Sequence, residues 1–300
     1  MTRLALVQVG EQFSAIRRIA PRLRGGQITA VVDSDAVQAQ RFAKELEVST
    51  WATSTTELHQ HLGDKFDAWA AATSNGFLFA SHNDRPLDMR PECWSHLPEG
   101  WMWGHVFRLL PSLRTLKESV DSGKLGDTGL VRIHHWQTKG ADLRSSLLAQ
   151  LDVACSLVGR SPAVIFGLSR AARRGDVGNE YLQVHIGFDD DRMAVIDCTT
   201  QLASGDDYYS AGVISSTGAA YADDHHNVQL LFGGQHPQAI KTSQGDRGLL
   251  ATFQEFVDSR AKSRPPICGA PEWHRAQRLW NAAARSLQSG QSQKVAGESR

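Results

Sequence analysis

Within its first 73 residues the chain alternates short apolar runs with stretches of helical periodicity, and this alternation restricts the fold more than any other feature. Residues 4–9 (Leu-Ala-Leu-Val-Gln-Val), 28–32, 48–51 and 68–72 have the length and apolar character of strands buried on both faces. Between the first two, Ile16, Ile19, Ala20 and Leu23 keep helical spacing over residues 13–23, and Gly25-Gly26 ends that helix. A second helix follows Asp33, capped by Ser34 or Asp35, and runs to about Leu46. A third opens at the capping-box pattern Ser54-Thr55-Thr56-Glu57. Short strands alternating with helices imply parallel pairing through right-handed crossovers. The expected product is an α/β domain with a Rossmann-like parallel sheet.

The rhythm breaks at residues 74–103, which hold Pro86, Pro91, Pro98 and Asn83-Asp84 and are expected to be loop with one short helix at 91–97. Beyond them the chain is richer in strands, at 130–136, 164–168, 181–188, 193–201, 208–215 and 228–232. Leu182, Val184, Ile186 and Phe188 alternate with polar residues, as in an open sheet with one face on a core. Helices are expected at 112–120, at 146–158 before Gly159, and at 249–259. Pro271 opens a last helix with the stripe Trp273, Ala276, Leu279, Trp280, Ala283 and Leu287. The polar tail 288–300 is expected to fray. The fold class is thus a Rossmann-like parallel sheet plus a C-terminal α+β domain with a large, mostly antiparallel open sheet. The boundary is placed between 1–106 and 107–300, with the last helices as candidates for packing back on the first domain.

Lys+Arg and Asp+Glu each number 32, so the chain lacks the basic excess of a general nucleic-acid binder. Arg170, Arg173 and Arg174 read as a solvated turn after a strand. Cys93, Cys155, Cys198 and Cys268 form no C-x-x-C pair and are expected to be reduced and mostly buried. The N-terminus has no signal-peptide pattern and no apolar run reaches bilayer length, which points to a cytoplasmic protein without membrane partners. His134-His135 lies on a strand, so its rings point to opposite faces and cannot share an ion. Asp223-Asp224-His225-His226-Asn227 reads as an exposed loop between strands. No metal site is expected.

Several segments carry a resemblance when taken in order. Phe107-Arg108-Leu109-Leu110-Pro111 is followed by Leu116-Lys117 and by Asp121-Ser122-Gly123-Lys124-Leu125-Gly126-Asp127. Leu151-Asp152-Val153-Ala154 then precedes Leu157-Val158-Gly159, and 253–287 forms the closing helices. Together they resemble the glucose–fructose oxidoreductase and inositol dehydrogenase family over nearly the whole chain. The resemblance implies an NAD(P)-dependent oxidoreductase acting on a sugar or polyol, assembled as a homodimer or homotetramer through the C-terminal sheet.

The family's motifs are eroded here. Its G-x-G-x-x-G turn, which lets a pyrophosphate approach the backbone, falls on Gln8, Gly10 and Phe13, and only Gly10 is glycine. Gln8 suits the turn if it avoids positive φ, whereas Phe13 would push the helix away or cover the phosphate position. Asp33, at the end of the second strand, is placed to accept from ribose hydroxyls and to repel a 2′-phosphate, which favours NAD over NADP. The other reading of Asp33 is that it opens the following helix. Thr73, ending the fourth strand, completes the cofactor-side set implied by the resemblance. Against the family's "EKP" lysine stands Asp84-Arg85-Pro86, and an arginine hardly deprotonates. Against D-x-G-x-H-x-x-D, anchored on Asp152, stand Ser145, Leu147 and Ala149, so the usual histidine is missing, and the adjacent Gln150 cannot titrate. His105, after Trp101-Met102-Trp103, is the first alternative for a proton acceptor. Trp101, Trp103 and Trp136 are either sugar-stacking residues or core and interface anchors. Two readings follow: a divergent NAD-dependent oxidoreductase with Asp152, His105 and Arg85 as candidate catalytic residues, or an inactive relative serving as a binding or assembly module.

Overall fold

The computed structural model describes residues 1–62, 66–73, 76–81, 100–170, 181–203, 207–223, 228–233, 238–241 and 246–296. The chain divides into two compact units, Met1–Leu109 with Gly245–Trp273, and Leu110–Gln244 with His274–Arg300.

The first unit opens with β1 (Thr2–Val7), α1 (Phe13–Ile19), β2 (Gly26–Val32), α2 (Ala36–Glu45), β3 (Trp51–Ala52), α3 (Thr55–Leu62) and β4 (Ala68–Thr73). Leu4 of β1 pairs in parallel with Ile28 of β2 and with Ala68 of β4, and β2 pairs in parallel with β3. The near-continuous apolar runs are thus central strands of a parallel sheet, as their composition predicts. Two strands extend it in antiparallel sense, β5 (Gly76–Ser81) and β6 (Met102–Gly104), giving the order β3-β2-β1-β4-β5-β6. Both fall in the stretch expected to be loop, and the helix expected at 91–97 lies outside the described residues. The segment Gly76-Phe77-Leu78-Phe79-Ala80-Ser81 is itself an apolar run of strand length, obscured by the prolines that follow it.

The second unit continues with α4 (Pro111–Asp121), β7 (Thr128–Thr138), α5 (Leu143–Val158), β8 (Pro162–Arg170), β9 (Tyr181–Phe188), β10 (Met193–Leu202), β11 (Tyr208–Ser215), β12 (Gly218–Asp223), β13 (Val228–Gly233) and β14 (Gln238–Lys241). The chain then returns to the first unit as α6 (Arg247–Ala261), and α7 (Ala270–Ser289) carries it back to the second. A last short strand, β15 (Gln293–Lys294), pairs with β8, so part of the tail expected to fray is tied to a sheet edge. The nine-stranded sheet runs β14-β13-β12-β11-β7-β10-β9-β8-β15, with β7 and β10 parallel and every other pair antiparallel.

In the first unit α6 covers the sheet. Phe253 and Phe256 are fully buried; Phe253 meets Phe77 edge-on at 4.9 Å and Phe79 at 5.0 Å, while Phe256 stacks on Phe79 at 4.8 Å. Gly26 permits the close approach, because a Cβ there would lie 2.7 Å from Val257 Cγ2. In the second unit α5 packs on one face of the sheet, against β7 and β10. Leu182, Val184, Ile186 and Phe188 are buried in the alternation that the sequence predicts. Among the described residues no helix is long and apolar enough to cross a membrane.

Candidate functional site

The turn after β1 is built from Gln8 to Gln12. The Gln8 N–H donates to Val32 O at 2.8 Å, which brings the end of β1 beside the end of β2, next to Asp33. Gln8 itself takes φ +49°, so the condition on which it would suit the turn, avoidance of positive φ, is not met. An L-residue there costs about 1–2 kcal/mol, and the turn imposes it at a position where the resembled motif has glycine. Gly10 also has positive φ (+42°), and a Cβ added to it would meet nothing within 4 Å. The backbone at Gly10 therefore faces open space, as a turn that receives a bulky anion must.

Phe13 does not cover this space. Its ring is buried and stacks on Phe42 of α2 at 3.9 Å with 15° between the planes. Of the two outcomes expected of a bulky third residue, a displaced helix or a covered phosphate position, the second does not occur. Instead residues Gly10–Gln12 form a 3₁₀ turn and α1 begins only at Phe13, which lets the ring swing into the core. Gln12 Nε2 donates to Thr73 O at 3.4 Å, linking the turn to the end of β4. No motif flagged Gln12; only its place inside the turn could have.

Asp33 does not cap α2. That role belongs to Asp35, whose Oδ1 accepts from the N–H groups of Val37 (2.9 Å) and Gln38 (3.4 Å). Asp33 Oδ1 takes the Asp35 N–H at 3.0 Å, which orients the carboxylate at the C-terminal end of β2. Gln8, Gly10, Asp33 and Thr73 thus lie at the C-terminal ends of three adjacent parallel strands, the edge at which open α/β sheets bind ligands.

His105 follows β6 and is fully buried. Its Nε2 lies 3.6 Å from Cys268 Sγ, and its ring packs 4.4 Å from that of Trp103. Trp101 and Trp103 are core residues, the latter edge-on to Trp273 at 4.9 Å. Arg85 lies outside the described residues, as do Cys93, Arg173, Arg174 and the 224–227 part of the acidic–histidine cluster. Cys155, Cys198 and Cys268 are buried and form no disulfide among the described residues.

In the second unit Asp152 is fully buried on α5, and Arg275 of α7 donates from Nη2 to its Oδ1 at 3.0 Å. The positions that align with the family's acid/base motif hold no base: Leu147 and Ala149 are buried apolar residues, and Ser145 Oγ donates to Asp142 Oδ2. Gln150 is spent on the sheet. It lies 3.2 Å from His135 Nδ1 through Nε2, and accepts from Tyr209 Oη at 3.1 Å. Burial pushes the His135 imidazole down to about 4, so it is neutral across the physiological range. The paired histidines do face opposite ways, since His134 Nδ1 meets Asp197 on the other face of the sheet, where Trp136 Nε1 also donates to Asp197 Oδ2 at 2.7 Å. Arg275 escaped the sequence reading because it lies beside, not in, the apolar stripe of α7. An arginine set between the stripe positions Trp273 and Ala276 was the available signal.

No protein-family model matches this chain, and no curated protein matches it. Solved structures do. An oxidoreductase from Agrobacterium radiobacter, in complex with NAD+, L-tartaric acid and magnesium, superposes with a TM-score of 0.79 at 14% identity, over 98% of each chain. Aldose-aldose oxidoreductase from Caulobacter crescentus, complexed with glycerol, gives 0.75 at 15% identity over 98% of this chain and 99% of that one. Scyllo-inositol dehydrogenase from Lactobacillus casei, with NAD(H) and scyllo-inositol, gives 0.74 at 16% identity over 99% and 100%. The chain has the fold of these oxidoreductases, as the sequence resemblance implies.

Proposed function

We propose that this chain is an NAD-dependent oxidoreductase acting on a sugar or other polyol. The observation that carries the reading is the Gly10 turn, open above its backbone and set beside the oriented carboxylate of Asp33. These residues suit a dinucleotide: Gly10 leaves room for a pyrophosphate, and Asp33 supplies acceptors for ribose hydroxyls. Two of the solved neighbours hold NAD, which supports the same cofactor here. When bound, NAD supplies the hydride acceptor or donor.

The chain's own groups have narrower roles. Asp152, buried and ion-paired, binds and orients a substrate hydroxyl, and His105 is the candidate proton acceptor. The neighbours' other ligands run from neutral polyols to a dicarboxylic acid, so the fold leaves the substrate class to the residues.

Cofactor choice tests the reading at one residue. Calorimetry should find NAD+ bound at least about tenfold more tightly than NADP+, the worth of one charge-assisted hydrogen bond or of a like-charge clash. Asp33→Ser should narrow that ratio mainly by weakening NAD+. Equal affinities in the wild-type protein would contradict the role of Asp33, and absence of binding by either would leave the assembly-module reading.

We also infer a homodimer or homotetramer through the sheet face opposite α5. Leu168, Tyr181, Met193, Ile214 and Tyr221 are exposed there, and a hollow of about 540 Å³ in the same sheet is lined by Trp136, Leu168, Tyr181 and Asp197. An apolar surface of this kind is ordinarily covered. Light scattering should return a multiple of the chain mass, and a monomer at micromolar concentration would contradict the assembly.

A further inference from the structure

We infer that the open face of the nine-stranded sheet carries a second binding site, centred on Trp136, for the pyranose ring of a carbohydrate. Trp136 and Asp197 lie on the face opposite α5, so the site is separate from Asp152, and it stands whether or not the oxidoreductase reading does.

Strand register sets its walls. Thr199 of β10 pairs with Trp136 of β7 on one side and with Tyr181 of β9 on the other. The small threonine is therefore flanked on one sheet face by two aromatic residues, two strand spacings or about 10 Å apart. A ring packed between two aromatic faces needs about 7–8 Å, the sum of two carbon–carbon contacts. In the adjacent row Asp197 pairs with His134 and with Gln183. Trp136, Arg170, Tyr181, Gln183, Asp197 and Thr199 line the hollow of about 540 Å³, a volume usual for a small-molecule site. Met193 and Ile214, apolar residues of the assembly inferred above, are both in register with Leu130, at the other end of β7. They lie about 20 Å along the strand from the Trp136 row.

The side chains that would touch a ligand reach solvent. Tyr181 is 44% exposed, the Asp197 side chain 25%, Arg170 and Gln183 are exposed, and Trp136 is half-buried. Trp136 is held in place without being packed away. Its Nε1 donates to Asp197 Oδ2 at 2.7 Å, and its ring lies 5.1 Å from that of Tyr208 and 5.7 Å from that of His134. Asp197 also meets His134 Nδ1, at 2.9 Å, and a carboxylate with about four acceptor positions keeps capacity for a ligand hydroxyl. Thr199, on the floor, has a buried Oγ1 with no hydrogen-bond partner among the described residues. A wholly apolar occupant would seal that hydroxyl in unpaired. One carboxylate and one guanidinium line the hollow, so neither a cation nor an anion is favoured over a neutral ligand. The ligand suited to this lining has apolar ring faces for Trp136 and Tyr181 and hydroxyls at its edge for Asp197 and Gln183. A pyranose has both.

The test is a titration of the full chain followed at the indole N–H resonance of Trp136 by nuclear magnetic resonance. The probes are the methyl glycosides of D-glucose, D-galactose and D-mannose, with D-glucitol as a ligand that has the hydroxyls but no ring. Trp136→Phe assigns the resonance by removing it. At least one glycoside should shift the signal saturably in the millimolar range, and glucitol should not. Tyr181→Ala removes one wall at an exposed position and should weaken that binding about tenfold, with a nearly unchanged melting temperature. Saturating NAD+ should leave the glycoside affinity as it is, so this site and the dinucleotide site fail or succeed independently. No saturable shift with any glycoside, equal affinity in Tyr181→Ala, or an equal response to glucitol would overturn the inference. So would a Trp136 signal that moves with protein concentration and not with sugar, the mark of a second copy seated in the hollow.

Discussion

Phe253→Ala should destabilise the first unit by about 3–5 kcal/mol, the usual cost of removing a fully buried phenylalanine. Phe253 is where a helix from late in the chain closes the core of a sheet made by the first hundred residues. Its ring is inaccessible to solvent and lies edge-on to both Phe77 and Phe79, at 4.9 and 5.0 Å. Those two phenylalanines lie on the strand that extends the sheet beyond its parallel half. The loss combines the transfer free energy of the ring with the cavity left among Phe77, Phe79 and the helix. Urea denaturation should show an earlier transition, and Phe253→Leu should recover much of the difference by filling most of the space. A cost below about 1 kcal/mol, the level of an ordinary surface substitution, would mean that the helix is not holding that core.

Gly10→Val should separate stability from binding. At φ +42° a β-branched residue is strained by about 1–2 kcal/mol, yet no atom of the protein lies within 4 Å of the Cβ it would add. The folded protein should therefore survive with a modestly lower melting temperature. Dinucleotide affinity should fall on the order of a hundredfold, because the side chain occupies the space through which a pyrophosphate reaches the backbone. Unchanged NAD+ affinity in Gly10→Val would show that the turn is not the phosphate site.

The elements most legible in the sequence were those whose burial alone sets their composition. The runs at Leu4, Ile28 and Ala68 are nearly continuous in apolar residues because both faces of a central parallel strand are covered, and each was located from that pattern. The alternation through Leu182 to Phe188 likewise marked a sheet covered on one side. What escaped depended on pairing. Gly218–Asp223 is mostly small residues and becomes a strand because β11 and β13 flank it, while Gln293–Lys294 is a strand only by virtue of an exposed edge beside Val164 and Ile165. At the candidate site, the sequence drew attention to Gly10 and Asp33, whereas the backbone of Gln8 and the side-chain direction of Phe13 were not legible in it. The positive φ of Gln8 follows from the geometry of the whole turn, and the inward swing of Phe13 follows from a partner, Phe42, that lies far along the chain. The pairing of Asp152 with Arg275 joins residues 123 positions apart, a contact that no local pattern announces.

The central claim is that the ends of the first strands form a working dinucleotide site despite two lost glycines. Calorimetric titration of the wild-type protein with NAD+ tests it most directly. Saturable binding with one NAD+ per chain is the predicted outcome, and a flat titration up to millimolar NAD+ would contradict it.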